Sequence, residues 1–586
     1  MAGLLLLLAG STLAAPSVIR SRQDPGVSVT YQQTRLCETN PNIKSYSGYI
    51  TLPASAQRPY PSNLFFWFFE ARDISPSLAP LTLWLQGGPG EASANQAVSG
   101  HNGPCIVQDD SNSTVINPWS WSKVSNMLYL DQPVQTGYSF DGQTGVEGVM
   151  DMVTGNISPG SVSGGGDLTS RVGTFASQAP ARTVNTTAFA MDAVGCFLEL
   201  WFQRFSQYKR PGINIWSQSY GGHYAPDLAA RLLARYRQYN RSSSFSINVD
   251  SVGIINGVID LLTQVPYYPQ FAVNNTYGIK AISDAAAASA VQAYAAPGGC
   301  RDQAAACQQL QLQYDPQNTG SNASINAVCG YAFLVCWGGV YLPYEQLSGR
   351  NPFDIAHSML DSFPPPYSRG FLNNDWVQRA LGAKVNFTET SNVVANSFVQ
   401  SGDFVRGYTG QLGALLDAVV KVALLYGDRD YRANWFGGEA ISLAIPYGRK
   451  QAFAAAGYTD IKTNGMYVGG KVRQYDRFSF SRVFEAGHEV PYYQPETAFR
   501  IFARTILGLD VATGRVIVAR AFGPRYSTTG PSSVLNVTNA VPPAPQPECY
   551  VDAAPLFMRC TQGQIAALLD GTAVVNAKRV VVSPSS

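Results

Sequence analysis

The sequence predicts an α/β fold, a mostly parallel central sheet wrapped in helices, and three observations carry that expectation. Short, almost wholly apolar runs such as LTLWL (81–85) and INIW (213–216) read as strands buried on both faces. Segments with helical spacing of apolar residues stand between them, as in TAFAMDAVGCFLELWFQRFS (187–206). Finally, INIWSQ, Ser219 and the helical APDLAARLLARYRQY follow one another as strand, sharp turn and helix. That is the order of a nucleophile elbow, and it makes the expected fold an α/β-hydrolase.

Residues 1–15, MAGLLLLLAGSTLAA, combine a short leucine run with small residues and read as a signal peptide, although no Lys or Arg precedes the run. A first part of the core is expected over 30–260, with strands in YSGYITL, NLFFWFFEA, PLTLWLQ, NMLYLDQP and VDSVGIINGVID. Within it, 143–186 is rich in Gly, Ser and Thr with few apolar residues and predicts a long surface loop. Residues 261–400 hold an Ala/Gln-rich helical tract and four of the nine cysteines, and read as a helical insertion that caps the active site. The core resumes over 401–508 through KVALLYGDRD, YDRFSFSRVFEAGHEVP and the helix PETAFRIFARTILG. A Pro-rich stretch, 523–548, reads as an extended linker, and 549–586 as a small module in which Cys549 and Cys560 bridge locally.

Composition excludes several classes of function. With 14% charged residues and a formal net charge of +2, the chain has neither a basic block for nucleic acid nor an acidic solvating tail. No apolar stretch after the leader reads as long enough to cross a bilayer, so no membrane span is expected. Sequons stand at Asn112, Asn156, Asn185, Asn240, Asn274, Asn322, Asn386 and Asn536. Nine cysteines without paired Cys-x-x-Cys modules read as a disulfide framework rather than as metal ligands. Together these features predict a glycosylated protein of the secretory lumen, secreted or vacuolar, with at least one unpaired thiol. No metal or organic cofactor is implied.

A hydroxyl nucleophile needs a base, and the base needs an orienting partner. The chain has four histidines, His101, His223, His357 and His488. His488, in AGHEVP, follows the last expected core strand, and Asp430, closing GDRD, ends the strand before it. Taken singly, each has a plain structural reading: Ser219 a turn residue, Asp430 a loop carboxylate beside Asp428, His488 a core histidine. The elbow signature is also imperfect, because Ser217 occupies its first glycine position. The order Ser219, Asp430, His488 at strand ends is what selects an α/β-hydrolase triad.

Seven stretches, LTLWLQGGPG, HNGPC, WSWSKVSNMLYLDQPVQTGYSF, SQSYGGHYAP, IINGVID, YGDRDYRANWFG and VFEAGHEVPYYQPETA, closely resemble in order the serine carboxypeptidase family over roughly residues 46–508. The resemblance implies a fungal-type secreted enzyme that releases C-terminal residues from peptides with a free C-terminus. It implies the triad Ser219, Asp430 and His488 and an oxyanion hole from the backbone N–H groups of Gly88 and Tyr220. The family reads the substrate's terminal carboxylate with an Asn before Gly-Gly-Pro-Gly, a Glu before x-Gly-Pro and a Glu before the nucleophile. Here those positions hold Gln86, ahead of Gly87, then His101 and Gln218. The two glutamines can donate amide hydrogen bonds at any pH, and His101 adds a cation near or below its reference pKa of about 6.5. The same substitutions also fit an esterase or acyltransferase, or a low-activity binding homologue. Glu489, next to His488, reads either as an attractor of basic leaving groups or as an exposed or internally paired acid.

Overall fold

The computed structural model describes residues 17–20, 26–56, 58–160, 165–238, 246–361, 363–518 and 525–581. The expected signal peptide at 1–15 and the sequon at Asn240 lie outside the described residues. Twelve strands lie on one sheet path: β1 (Ser17–Arg20), β2 (Ser28–Thr34), β3 (Ser45–Leu52), β4 (Ser62–Phe69), β5 (Leu81–Leu85), β6 (Asn126–Leu130), β7 (Ile213–Gln218), β8 (Val249–Ile255), β9 (Lys421–Gly427), β10 (Tyr458–Lys462), β11 (Val468–Tyr475) and β12 (Phe478–Val483). Their spatial order is β1-β2-β3-β4-β6-β5-β7-β8-β9-β12-β11-β10, with the short strand Phe140–Asp141 beside β4. From β6 through β5, β7, β8 and β9 to β12 every pairing is parallel, and the flanks are antiparallel. This is the α/β-hydrolase architecture, and its parallel centre is where the apolar runs fall.

The inner strands β5, β7 and β9 are buried at every position, as a sheet covered on both faces requires. Ile213 and Ile215 of β7 pack with α1 (Thr187–Arg204) and α2 (Gly221–Gln238) on one face. Trp216 points to the other, where Trp121 stacks on Phe502 of the helix Pro495–Ile506 at 4.0 Å. Between β8 and β9 the chain leaves the sheet and builds the helical cap, including α3 (Cys300–Tyr314) and α4 (Ala323–Cys336). Disulfides Cys300–Cys336 and Cys307–Cys329 clamp α3 to α4, while Cys37–Cys105 ties the first strands and Cys549–Cys560 closes the last module. Cys196 is the free thiol.

Two expectations need correction, and a third gains detail. The run Ala323–Leu347, with mean hydropathy 1.5, is apolar and long enough to cross a membrane by length and composition. The fold uses it instead as a cap helix that buries Cys329, Phe333 and Cys336. Residues 143–186 are not all loop: they form a small sheet from Val146–Asp151, Ile157–Pro159 and Ser170–Phe175. Its few apolar side chains suffice because the C-terminal module covers them, packing Leu556, Cys560 and Val580 on Met150, Met152 and Phe175. The Pro-rich segment is extended but not free. Arg482 donates to Val534 O at 2.7 Å and Val537 O at 2.9 Å, and Asn539 Nδ2 to Asp428 at 2.9 Å, strapping it to the core.

Candidate active site

Where β7 ends the chain reverses at Ser219, whose φ of +59° lies in the left-handed region. The turn is pinned on both sides: Ser219 N donates to Ile255 O at 3.0 Å, and Ser219 O accepts from Gly222 N at 2.9 Å and Val258 N at 3.0 Å. A Cβ on Gly221 would stand 2.5 Å from the Ser217 Cβ. Serine is therefore tolerated at 217 because 221 supplies the space, and the Ser217 hydroxyl donates to Gly221 O at 2.9 Å. Gly87 passes directly behind the elbow, where a Cβ would lie 2.6 Å from both Gln218 O and Tyr220 N.

Gly88 and Tyr220 line one pocket with Ser219. Neither backbone N–H donates to a backbone carbonyl among the described residues. Two uncommitted donors beside the pocket-lining serine are what a developing oxyanion requires. Tyr220 is held from behind, its hydroxyl donating to Asp403 at 2.5 Å and its ring stacked on His223 at 4.4 Å. The far wall of the pocket is apolar and belongs to the cap: Phe333, Trp337, Tyr341 and Phe404.

β9 and β12 are parallel neighbours, so their ends deliver Asp430 and His488 to the same edge. His488 Nδ1 and Asp430 Oδ2 are 2.7 Å apart, and both residues are buried. An ionised carboxylate only accepts, which places the ring proton on Nδ1 and leaves Nε2 as the basic nitrogen. Burial works against the imidazolium, but the charge and hydrogen bond of Asp430 outweigh it and hold the His488 pKa above its ordinary value. Asp430 Oδ2 accepts further from Asn256 Nδ2 at 2.7 Å and Ala433 N at 3.2 Å.

Gln86, His101 and Gln218 are also brought to this corner, but the donors of His101 and Gln218, and one hydrogen of Gln86, are engaged. Gln218 Nε2 donates to His488 O at 2.9 Å and to Glu489 Oε2 at 2.5 Å. His101 Nε2 contacts the same Glu489 oxygen, and its Nδ1 lies 2.9 Å from Ser99 Oγ. Gln86 Nε2 donates to Glu91 Oε2 at 3.3 Å. Glu489 is thus the internally paired acid of the two readings. Burial opposes its charge, yet His101, His488 and Gln218 together hold its pKa down at about 2. In this structure the hydrogens that His101 and Gln218 were expected to offer a substrate are directed at Glu489.

The chain matches the family described as serine carboxypeptidase over residues 36–508. It belongs to that family. This serine carboxypeptidase is 41% identical over 590 residues to "Carboxypeptidase S1 homolog A" of Trichophyton rubrum, covering 97% of this chain and 89% of that protein. It is 38% identical over 587 residues to "Carboxypeptidase Y homolog" of Arthroderma benhamiae, covering 97% and 91%. Among solved structures it shares its fold with the prohormone-processing carboxypeptidase Kex1(delta)p of Saccharomyces cerevisiae, with a TM-score of 0.56 and 21% identity over 79% of this chain and 91% of that one.

Sequence reasoning about this carboxypeptidase missed Asn256, Asp403 and Glu91. Asn256 was findable, since it directly follows β8, which lies beside β9 in a parallel sheet. Glu91, directly after Gly-Gly-Pro-Gly, carried no signal of its own. Asp403 could not be read, being a cap residue far along the chain from the tyrosine it holds.

Proposed function

We propose that the chain is a serine-type carboxypeptidase acting on peptides with a free C-terminus, with Ser219 as nucleophile, His488 as base and acid, and Asp430 orienting the imidazole. The observation that carries this reading is the 2.7 Å contact of His488 Nδ1 with Asp430, tied to the elbow through the Gln218 Nε2 bond to His488 O at 2.9 Å, next to the pocket shared by Ser219, Gly88 and Tyr220. Ser219 Oγ attacks the scissile carbonyl carbon while His488 Nε2 takes the hydroxyl proton. The carbonyl oxygen becomes an oxyanion facing the Gly88 and Tyr220 amides. His488 then passes the proton to the departing amine as the C–N bond breaks, leaving an acyl-serine. Water repeats the sequence, giving its proton to His488, and the ester opens to a carboxylic acid with Ser219 reprotonated. The apolar cap wall supports an apolar side chain on the acyl side of the cleaved bond. Four disulfides and eight sequons support passage through the secretory lumen, with N-glycans on the chain.

One observation favours a second reading, an esterase or acyltransferase: the donors of His101 and Gln218 already serve Glu489. Matched peptides with free and amidated C-termini separate the two. The carboxypeptidase reading expects the free acid to be cleaved about tenfold faster or more, and Ser219→Ala to abolish both rates. Faster turnover of the amide, or of an ester with the same acyl group, selects the second reading.

A further inference from the structure

A terminal carboxylate must be met by hydrogen-bond donors. Gln218 has two amide hydrogens, and its Nε2 is directed at two groups that only accept, the His488 carbonyl and the Glu489 carboxylate. This fixes the amide's orientation and leaves Gln218 Oε1 buried without a protein partner, an acceptor that repels a carboxylate. His101 is likewise spoken for at both ring nitrogens, by Glu489 and Ser99. Of the three positions only Gln86 keeps an amide hydrogen, its other one pointing at Glu91 Oε2. Glu91 is therefore the remaining group at this corner with a transferable proton.

Glu91 is built into the oxyanion loop. Its backbone N donates to Gly87 O at 3.1 Å, its strand bridge to Thr390 fixes the chain there, and its carboxylate accepts from Gln86. Charged groups reach it from every side: Glu389 from the bridged segment, Glu489 and His488 from the end of β12, and Arg432 from the loop after β9. All four have partners of their own, His488 in Asp430. Glu389 contacts Arg369 and accepts from Asn95 at 2.7 Å, Glu489 is paired with His101, and Arg432 lies over Trp337 at 5.1 Å with Glu345 at 3.6 Å. Half-buried and flanked by two carboxylates, Glu91 has its pKa raised, with burial the main cause, then the charges of Glu389 and Glu489; His488 and Gln86 oppose.

We propose that Glu91 in its acid form is a specificity-determining residue that, with the spare amide hydrogen of Gln86, donates to the free C-terminal carboxylate of the peptide. This rests on the carboxypeptidase reading above. As a neutral acid Glu91 offers an O–H donor to the substrate's anion. Once ionised it offers only acceptors and a like charge, so binding of the free acid is strongest at low pH and is lost as pH rises through the Glu91 titration. An amidated C-terminus carries no charge to repel and follows no such trend.

Binding to a chain that cannot turn over tests this separately from catalysis. Affinities of one peptide, as free acid and as amide, are measured by calorimetry on Ser219→Ala from about pH 4 to about pH 7.5, spanning the ordinary carboxyl and histidine ranges. The free acid should weaken about tenfold or more across this range and the amide should not. Adding Glu91→Gln, which keeps a donor that cannot titrate, should flatten the free-acid profile. Adding Glu91→Asp should keep the slope at lower affinity, which guards against a glutamine variant that folds poorly. An unchanged slope with Glu91→Gln, or a flat one with Glu91→Asp, overturns the role of Glu91. Absence of peptide turnover by the unmodified chain overturns the carboxypeptidase reading instead, while the binding profiles still decide the residue.

Discussion

The Asp430–His488 pair and the corner made by Gln86, His101, Gln218 and Glu489 adjoin one another, yet they are built by different rules. Asp430 and His488 ride on the ends of two hydrogen-bonded parallel strands, so the backbone of the sheet sets their approach and short side chains complete it. The corner is assembled from long side chains whose partners depend on which protons and charges happen to meet. There Glu489 collects hydrogen bonds from His101 and Gln218, residues that belong to different parts of the sheet edge. A site of the first kind persists while the fold persists. One of the second kind is rewired by a few substitutions without moving a strand.

The comparison breaks most sharply at Asp430. Asp430→Asn presents an amide to Nδ1 and favours the wrong tautomer, so kcat should fall about 10³ to 10⁴-fold while far-ultraviolet dichroism stays unchanged. A loss below tenfold would show that this strand-end pair is not the base and its orienter.

Gly87→Ala strikes both regions at once, because its Cβ would press on Gln218 O and Tyr220 N at 2.6 Å. The expected outcome is about a hundredfold loss in kcat/KM with a stability cost of about 1–3 kcal/mol. Steady-state rates beside urea unfolding check it, and wild-type values for both would mean that the elbow yields to the extra methyl.

Glu489→Gln sharpens the electrostatic half. Folded Glu489 titrates at about 2 against an ordinary 4.5, so between those values the unfolded chain binds more protons and stability falls as pH falls. The contribution is present above about pH 4.5 and is worth on the order of 2–3 kcal/mol. Urea midpoints measured from neutral to strongly acid pH should drop less steeply for the glutamine variant. Parallel curves would show that Glu489 carries no stabilising charge there.

Ser217→Gly is the smallest perturbation, since it removes only the hydroxyl bond to Gly221 O and adds chain entropy in β7. About 1 kcal/mol of stability should be lost, with kcat/KM within about twofold of wild type. A large activity change would mean that Ser217 does more than fill the first position of the elbow.

Much of the first region was legible along the chain. LTLWL, INIWSQ and KVALLYG announced inner strands, because a segment buried on both faces must be apolar throughout. Strand ends then placed Ser219, Asp430 and His488 in chain order. The small sheet within 143–186 was not legible, since its apolar cover, Leu556 and Val580, comes from the far end of the chain. Nor was the fate of Ala323–Leu347, because apolar length alone does not distinguish a membrane span from a helix clamped into a cap.

By itself, then, the sequence determined the inner strands, the elbow and the three residues at strand ends, all of which follow from periodicity and burial over a few neighbouring positions. Only the tertiary structure decided what Gln218, His101, Glu489 and Glu91 contact. Hydrogen bonds and charge pairs act over a few ångströms regardless of chain distance, and the contact that governs this corner joins residues 388 positions apart.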